Sequence, residues 1–172
     1  MKPAFIIRPA DLGRDRAAML AFIDGLQAYE YAFEKNRRLD GTVAAEHLEK
    51  LLKDMDEKPG AIFMADNSAG TPVGWTVVQE ILAPVFVIAE ERRQAYIAEL
   101  YLEERARGTG TGRALIAACE EWAKAQGILI IGIGVLPGNA RAHDVYRRAG
   151  YRDYAVELLK RLPQDEDEMN IL

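Results

Sequence analysis

The chain has 172 residues, 49% of them hydrophobic, and a formal net charge of −5 at pH 7, so it is long and apolar enough to bury a full core. The excess of carboxylates argues against a general nucleic-acid or membrane-surface binder, because both kinds of site need an excess of Lys and Arg. One cysteine and two histidines leave no internal disulfide and no recognisable zinc-ligand spacing, so we expect no metal.

The first half of the chain predicts a strand, two helices and a hairpin. Asp11 is a good N-cap, and the apolar residues after it indicate a helix with one buried face. Two β-type runs are separated by a cluster of turn residues, which is the pattern of a hairpin. The predicted elements are a strand at 5–8, helices from Asp11 and over about 43–55, and hairpin strands at 61–66 and 73–79.

The second half predicts alternating strands and helices. The run 128–135 is apolar on both faces, as expected for a central strand. The predicted elements are a strand at 95–102, a helix at about 111–126, the strand at 128–135, a helix capped by Asn139 and ended by Gly150, and a final strand at 151–159. The order β-α-α-β-β-β-α-β-α-β predicts an α/β (α+β) fold, with a mixed sheet, helices on both faces and a right-handed parallel β-α-β crossover.

We expect these elements to form a single domain over residues 1–162. Residues 163–172 contain the acidic run Asp165 to Glu168, whose like charges repel, so we expect a solvated tail. No apolar run has the length of a signal peptide or reaches the roughly 20 residues of a membrane span. The expectation is therefore a cytoplasmic protein with no membrane partner.

A glycine-rich loop at residues 107–113, Arg-Gly-Thr-Gly-Thr-Gly-Arg, lies between a predicted strand and a predicted helix. Its glycines let several backbone N–H groups converge on an anion, and the dipole of the following helix also favours negative charge. A diphosphate fits such a site. The Walker and Rossmann glycine patterns are both absent. Taken alone, the loop leaves two interpretations open, a ligand site or a structural turn.

Two motifs resemble the signatures of the GNAT superfamily of N-acyltransferases. The loop matches the family's acyl-CoA-binding pattern Arg/Gln-x-x-Gly-x-Gly/Ala at three positions, Arg107, Gly110 and Gly112. The preceding Leu-Tyr-Leu at 100–102 matches the family's pantetheine-binding strand, and residues 139–151 resemble its second signature, with Asn, Ala, Tyr and Gly-aromatic at the family's spacing. Thr109 and Thr111 replace the Lys and Ile that are more usual in the loop.

The resemblance implies a GNAT-like mixed, mostly antiparallel sheet with a parallel β-α-β unit that binds acetyl-CoA as cosubstrate. In the family, the two parallel strands splay apart, and the pantetheine arm bonds to unpaired backbone groups of the first strand. A backbone N–H there would also stabilise the oxyanion. The residues expected to bind the donor are Leu100, Tyr101, Leu102, Arg107, Gly108, Thr109, Gly110, Thr111, Gly112, Arg113, Asn139 and Tyr146.

The implied activity is transfer of the acetyl group to a primary amine by direct attack. Tyr146 corresponds to the tyrosine that many family members hold near the CoA sulfur, where it protonates the departing thiolate; packing on its helix is the alternative. The amine must lose a proton, and Glu99 corresponds to a position that some members use as the base, directly or through water. Strand alternation places Glu99 on one face with Ile97 and Tyr101, and a buried ion pair is its alternative role.

The acceptor stays open among small-molecule and peptide amines. The segment that ends the first helix mixes aromatic and acidic residues and supplies four candidate substrate-binding residues, Tyr29, Glu30, Phe33 and Glu34. Four arginines would meet CoA phosphates or lie on solvated helix faces: Arg113, Arg141, Arg147 and Arg148. The main rival is a non-catalytic acyl-CoA-binding or regulatory module of the same fold, which predicts CoA binding without transfer. A homodimer is one option by analogy with the family.

Overall fold

Five strands and four α-helices make up residues 5–162, the part of the chain that the computed structural model describes. In chain order they are β1 (Phe5–Pro9), α1 (Leu12–Glu30), α2 (Val43–Glu57), β2 (Gly60–Asn67), β3 (Pro72–Leu82), β4 (Arg93–Leu102), α3 (Thr111–Ala125), β5 (Ile131–Ile133) and α4 (Ala140–Arg148). None of these helices is long and apolar enough to cross a membrane. The acidic tail predicted for 163–172 lies outside the described residues.

The five strands form one sheet in the order β1-β2-β3-β4-β5. Neighbouring strands from β1 to β4 are antiparallel, whereas β4 and β5 are parallel and are joined through α3. Parallel neighbours need such a crossover helix, because a hairpin loop joins only antiparallel strands. The structure confirms the predicted mixed, mostly antiparallel sheet with a parallel β-α-β unit.

Helices α1 and α2 cover one face of the sheet. Asp11 starts α1 as predicted, since its carboxylate accepts hydrogen bonds from the N–H groups of Gly13 and Arg14 at 2.9 and 3.2 Å. Each large apolar side chain that these helices bury stabilises the fold by roughly 1.5–3 kcal/mol. The core on this face consists of Met19, Phe22, Ile23, Ala44, Leu48, Leu51, Ile62, Met64, Trp75 and Val77.

Helix α3 covers the opposite face. Its side chains Leu115, Cys119 and Ala123 pack against the strands in the cores on this side. The sulfur of Cys119 lies 3.4 Å from the Thr76 hydroxyl oxygen, and burial raises the pKa of the thiol to about 12. A thiol in this setting stays protonated at neutral pH, so Cys119 acts as a small core residue.

A bulge in β4 places two nearby residues on opposite faces of the sheet. The pairing with β3 shifts by one residue between Ile97 and Glu99. Ile97 packs in the core under α3, whereas the Glu99 carboxylate faces α2, with its Oε1 2.6 Å from Nε2 of His47. The prediction that Glu99 shares a face with Ile97 is therefore wrong. Tyr101 does pack on the α1–α2 side.

The strand predicted at 128–135 covers only Ile131–Ile133 in the structure. These residues pair with residues 95–97 of β4, and beyond them β4 continues along β3 without β5. In the described sheet β5 is also the outer strand and not a central one. The apolar run at 128–135 therefore packs on the sheet core, but the edge of β5 away from β4 has no partner strand in the described residues.

The strand predicted at 151–159 does not form, since the chain after α4 adopts neither helix nor strand up to residue 162. Side-chain contacts join this segment to α4 and to the residues after α1. The Asp153 carboxylate lies 2.7 Å from Nε2 of His143 on α4, and Arg161 donates to Glu34, just beyond α1, at 3.3 Å. The segment consequently runs from α4 to the end of α1, and its strand pattern finds no partner in the described residues.

Candidate active site

A cavity of about 400 Å³ lies where β4 and β5 separate. Its walls come from β4, β5, the loop before α3, helix α4 and the last turns of α1. The size lies within the range of small-molecule and cofactor sites. Its wall residues include Tyr29, Glu30, Tyr96, Leu100, Tyr101, Leu102, Arg107, Gly108, Gly110, Gly112, Arg113, Asn139, Arg141, Tyr146 and Arg148.

Backbone groups of β4 border this cavity. The last pair between the parallel strands joins Ile97 to Ile133, but β4 continues to Leu102 with β3 on its other edge. Ala98 and residues 100–102 line the cavity. Because a strand directs N–H and C=O groups to both sides, the β5-facing groups of this stretch have no strand partner. An extended ligand arm can bond to them.

The glycine loop forms part of the cavity wall. Gly108 and Gly110 have positive φ values of 80° and 89°, while an added Cβ at either would meet nothing within 4 Å, so the requirement is conformational. Gly110 begins α3 without a side-chain cap. The first N–H groups of α3 are therefore free of the caps that usually satisfy them and are available to an anion such as a diphosphate.

The hydroxyl groups of Thr109 and Thr111 make hydrogen bonds within the glycine loop. The Thr109 hydroxyl donates to the Ala106 carbonyl at 2.7 Å and lies 2.7 Å from the hydroxyl of Thr111, which is almost fully buried. Both side chains lie outside the cavity, whereas every other predicted donor-binding residue lines it. Thr109 and Thr111 would therefore meet a ligand only through their backbone.

Four arginines border the cavity: Arg107, Arg113, Arg141 and Arg148. Arg107 is fixed in place, because its Nε donates to the Leu102 carbonyl at 3.0 Å and its guanidinium lies 4.6 Å from the ring centre of Tyr29. Arg147 points elsewhere and pairs with Asp153. The uncapped start of α3 and the nearby guanidinium groups would suit a ligand that carries phosphates. Over residues 5–162 no cluster of His, Cys, Asp and Glu side chains could hold a metal ion.

The last turn of α1 also contributes to the cavity wall. Tyr29 and Glu30 line it, and the Tyr29 hydroxyl donates to Oδ1 of Asn139 at 3.4 Å. The same Oδ1 accepts the N–H of Ala142 at 3.2 Å, so Asn139 caps α4 and also borders the cavity. Of the other candidate substrate residues, Phe33 packs edge-on against Tyr29 and Glu34 pairs with Arg161. Neither lines the cavity.

Tyr146 is a half-buried phenol in the cavity wall. Burial, with a smaller contribution from the negative charge of Glu30, raises its pKa to about 12. The phenol is therefore fully protonated at neutral pH. A neutral phenol that faces a ligand cavity can donate a proton to an anion formed there.

Glu99 lies on the other side of β4, 6% exposed and outside the cavity wall. Its Oε1 faces His47, while its Oε2 is buried without a hydrogen-bond partner. The hydrogen bond to Glu99 raises the pKa of His47 above its usual 6.5, with burial opposing. The structure thus joins Glu99 to a histidine, and it does not bring Glu99 together with Tyr146 in the cavity.

Sequence reasoning missed three residues near these groups: His47, Arg37 and Tyr96. Arg37 donates from Nε to Oε2 of Glu30 at 2.6 Å, but its loop has no period that predicts this contact. Tyr96 lines the cavity opposite Gly134, where a Cβ would come within 2.7 Å of the Tyr96 hydroxyl. The glycine at 134 was the available signal for Tyr96, because a glycine inside a strand pattern often marks a close approach.

The Acetyltransferase (GNAT) family model matches residues 26–151, more than half of the chain. The chain is also similar to an aminoglycoside N(6′)-acetyltransferase type 1 from Stenotrophomonas maltophilia. The two are 26% identical over 121 residues, which cover 70% of this chain and 78% of that protein.

Two solved structures share the fold. A tetramutant of the BH1408 protein from Bacillus halodurans has a TM-score of 0.78 at 21% identity, covering 91% of this chain and 99% of its own. A predicted acetyltransferase from Clostridium acetobutylicum, solved with acetyl-CoA, has a TM-score of 0.67 at 20% identity, with 91% and 96% covered. On the family match over residues 26–151, the chain belongs to the GNAT family of acetyltransferases, enzymes whose acetyl donor is acetyl-CoA.

Proposed function

We propose that the protein acetylates a primary amine of a small cationic molecule of the aminoglycoside type by direct attack on acetyl-CoA. One observation carries this proposal. One cavity is lined by the glycine loop at the start of α3, by a protonated phenol, Tyr146, and by a carboxylate, Glu30. The start of α3 suits the phosphates of the donor, and the phenol and the carboxylate suit the reacting groups.

The donor would bind along the loop and β4. Free N–H groups from Gly110 onward would bind the diphosphate, and Arg113, Arg141 and Arg148 would contact phosphate oxygens with charge-assisted hydrogen bonds. The unpaired backbone of residues 98–102 would bind the pantetheine arm. One N–H of this stretch would stabilise the oxyanion of the thioester carbonyl, a contribution of about 3 kcal/mol in other enzymes.

Tyr146 would act as the acid. When the amine nitrogen forms its bond to the acetyl carbon, the carbon–sulfur bond breaks and the electron pair stays on sulfur. The phenol would then transfer its proton to that sulfur and release CoA as a thiol. The position of Tyr146 in the cavity wall supports this role, and its raised pKa means only that the phenol is protonated at neutral pH.

Two carboxylates are proposed for the amine. Glu30 lines the cavity and would attract the ammonium group, although Arg37 already offsets part of its charge. Glu99 is retained as the proposed base, and its place outside the cavity wall requires a relay through water or through His47. The free Oε2 of Glu99 is the atom that would receive the proton.

The acceptor class rests on two supports. The similar Stenotrophomonas maltophilia protein is an aminoglycoside acetyltransferase, and the cavity wall combines the Glu30 carboxylate with the rings of Tyr29 and Tyr96. Such a surface suits a cationic amine carried on a sugar, because the carboxylate attracts the charge and the rings pack on the apolar ring face. A single domain over 1–162 and a cytoplasmic location stay predictions.

The test of the donor site is an acetyl-CoA titration by calorimetry with a matched pair of variants. Gly110→Glu places a side chain and a negative charge where the diphosphate would bind. Gly41→Glu is the control, since Gly41 also has a positive φ (76°), also has nothing within 4 Å of an added Cβ, and lies outside the cavity wall. We expect micromolar binding in the wild type and in the control, and its loss in Gly110→Glu.

The acceptor is then tested by release of the CoA thiol with an aminoglycoside, a polyamine and a peptide with a free N-terminus. Turnover with the aminoglycoside above the other two amines would support the proposed acceptor. Donor binding without thiol release from any amine would favour the non-catalytic module. No binding of acetyl-CoA by the folded wild type would overturn the proposed donor site.

A further inference from the structure

The space between β4 and β5 is closed at one end and open at the other. The last pair of the two strands joins Ile97 to Ile133, and both residues line the cavity. From this closed end β4 continues to Leu102 and leads into the glycine loop before α3. In the proposed function the donor phosphates bind at that loop, and the pantetheine arm lies along residues 98–102. The acyl group at the far end of the arm would then lie at the closed end.

Tyr96 lies at this closed end, over two glycines of the neighbouring chain segment. It pairs with Gly132 of β5 and lines the cavity. A Cβ added at Gly132 would come within 3.5 Å of the Tyr96 ring, and one added at Gly134 within 2.7 Å of the Tyr96 hydroxyl oxygen. Residues two positions apart in a strand face the same side. The two glycines therefore leave the room that the Tyr96 side chain occupies.

The opposite side of the closed end is filled by core residues. Ile97 is 2% exposed and packs with Ile133 in the core under α3. Because neighbouring residues of a strand face opposite sides, Tyr96 lies on the other side of the sheet. Tyr96 is 37% exposed, so its truncation removes part of a cavity wall and no core side chain. An acyl chain that extended past Ala98 would have the two isoleucines on one side and the Tyr96 ring on the other.

Tyr146, the proposed acid, lies near the same end of the cavity. Burial first, and then Glu30, Tyr96 and Tyr29, raise the pKa of Tyr146, and all four side chains belong to one cavity wall. An acid that protonates the sulfur has to lie within hydrogen-bond reach of it. The proposed acid and the proposed course of the arm therefore agree in placing the thioester near Tyr96.

We propose that Tyr96 limits the acyl group of the donor to two carbons. This inference rests on the proposed donor site and goes beyond it, because it concerns the acyl group and not the CoA. The ring occupies the space into which the third and fourth carbons of a longer chain would extend. Apolar pockets discriminate one methylene by roughly 10- to 200-fold. Acetyl-CoA would fit, whereas butyryl-CoA would meet the ring.

The test is calorimetric binding of acetyl-CoA and butyryl-CoA to the full-length protein, with no acceptor present. In the wild type we expect butyryl-CoA to bind at least about tenfold more weakly than acetyl-CoA. Tyr96→Ala removes the ring and should make the two Kd values nearly equal. Tyr96→Val should act in the same direction, and it keeps a β-branched residue in the strand. Tyr96→Phe is the matched control, because it removes only the hydroxyl and should keep the wild-type ratio.

Equal Kd values in the wild type would overturn the inference and leave the donor site standing. A wild-type ratio that persists in folded Tyr96→Ala or Tyr96→Val would also overturn it, as would loss of the ratio in Tyr96→Phe. No binding of acetyl-CoA by the folded wild type would overturn the donor site and this inference with it. Once an amine is turned over, kcat/KM for the two donors should follow the same ratio. A fall in Tyr96→Ala that is equal for both donors would indicate an acceptor contact instead and overturn the inference.

Discussion

The two sides of β4 hold the two proposed proton-transfer groups in opposite settings. On the side of α1 and α2, Glu99 is nearly sealed from solvent and touches His47. On the side where β5 departs, Tyr146 faces a cavity with Glu30 and Tyr96 beside it. The Glu99 carboxylate is buried between the sheet and α2, whereas the Tyr146 phenol lines a cavity that could admit a ligand.

This difference follows from how completely β4 is paired. Its edge along β3 is paired from Arg93 to Leu102, but its edge along β5 is paired over three residues only. Where β4 has no partner strand, its backbone N–H and C=O groups and the space beside them are available to a ligand. On the face of the sheet that α1 and α2 cover, packed side chains leave no such space. We therefore expect changes on the cavity side to alter turnover, and changes on the α2 side to alter protonation and stability.

The largest expected effect is on kcat and comes from a substitution on the cavity side. Tyr146→Phe removes the acid and keeps the ring, so kcat should fall on the order of a hundredfold while the Kd for acetyl-CoA changes little. Steady-state kinetics and calorimetry measure the two quantities. Tyr154→Phe makes the same change at an exposed tyrosine outside the cavity and should have no effect. Full activity of Tyr146→Phe would remove the acid from the mechanism.

A smaller effect is expected from Glu99→Gln, compared with Glu30→Gln. If Glu99 receives the proton through a relay, its loss should lower kcat about tenfold with an unchanged KM for the amine. Loss of the Glu30 charge should instead raise the KM for the amine about fivefold, in line with a partly exposed ion pair. Initial rates at varied amine separate the two patterns. An unchanged kcat in Glu99→Gln would show that Glu99 does not accept the proton. Glu99 would then be only a structural partner of His47.

The smallest effect is a pH dependence of stability that comes from His47. Its hydrogen bond to Glu99 raises its pKa above 6.5, with burial and Lys50 opposing and Asp54 assisting. The stabilisation is complete below the unfolded pKa of 6.5 and disappears as the pH rises through the higher folded pKa. Urea midpoints should therefore drop across that range in the wild type, relative to His47→Gln. Parallel curves for the two proteins would show that the pair does not affect folding.

Much of this arrangement could be predicted from the sequence. The glycine loop and the capping Asn139 are local signals, because a positive φ or a cap is determined by a few adjacent residues. The alternation of strand and helix after residue 95 likewise predicted the parallel unit that opens the cavity. Such features need no knowledge of distant contacts.

The missed features depend on contacts between distant segments. No pattern near Glu99 shows the one-residue shift in its pairing with β3, so simple alternation placed Ile97 on the wrong side of the sheet. The pattern at 151–159 is that of a strand, but propensity does not determine whether a partner strand is present. In the structure Asp153 pairs with Arg147 of the preceding helix, and Arg161 pairs with the distant Glu34.

The paired hydroxyls of Thr109 and Thr111 have a consequence for binding thermodynamics. Glycine-rich loops sample many conformations, and a loop that ordered only around its ligand would lose that entropy on binding. Here the hydroxyl pair and the bond to the Ala106 carbonyl hold the loop in one conformation before any ligand binds. The proposed anion site would therefore be preorganised, and most of the binding free energy of its amides would remain available as affinity for the donor.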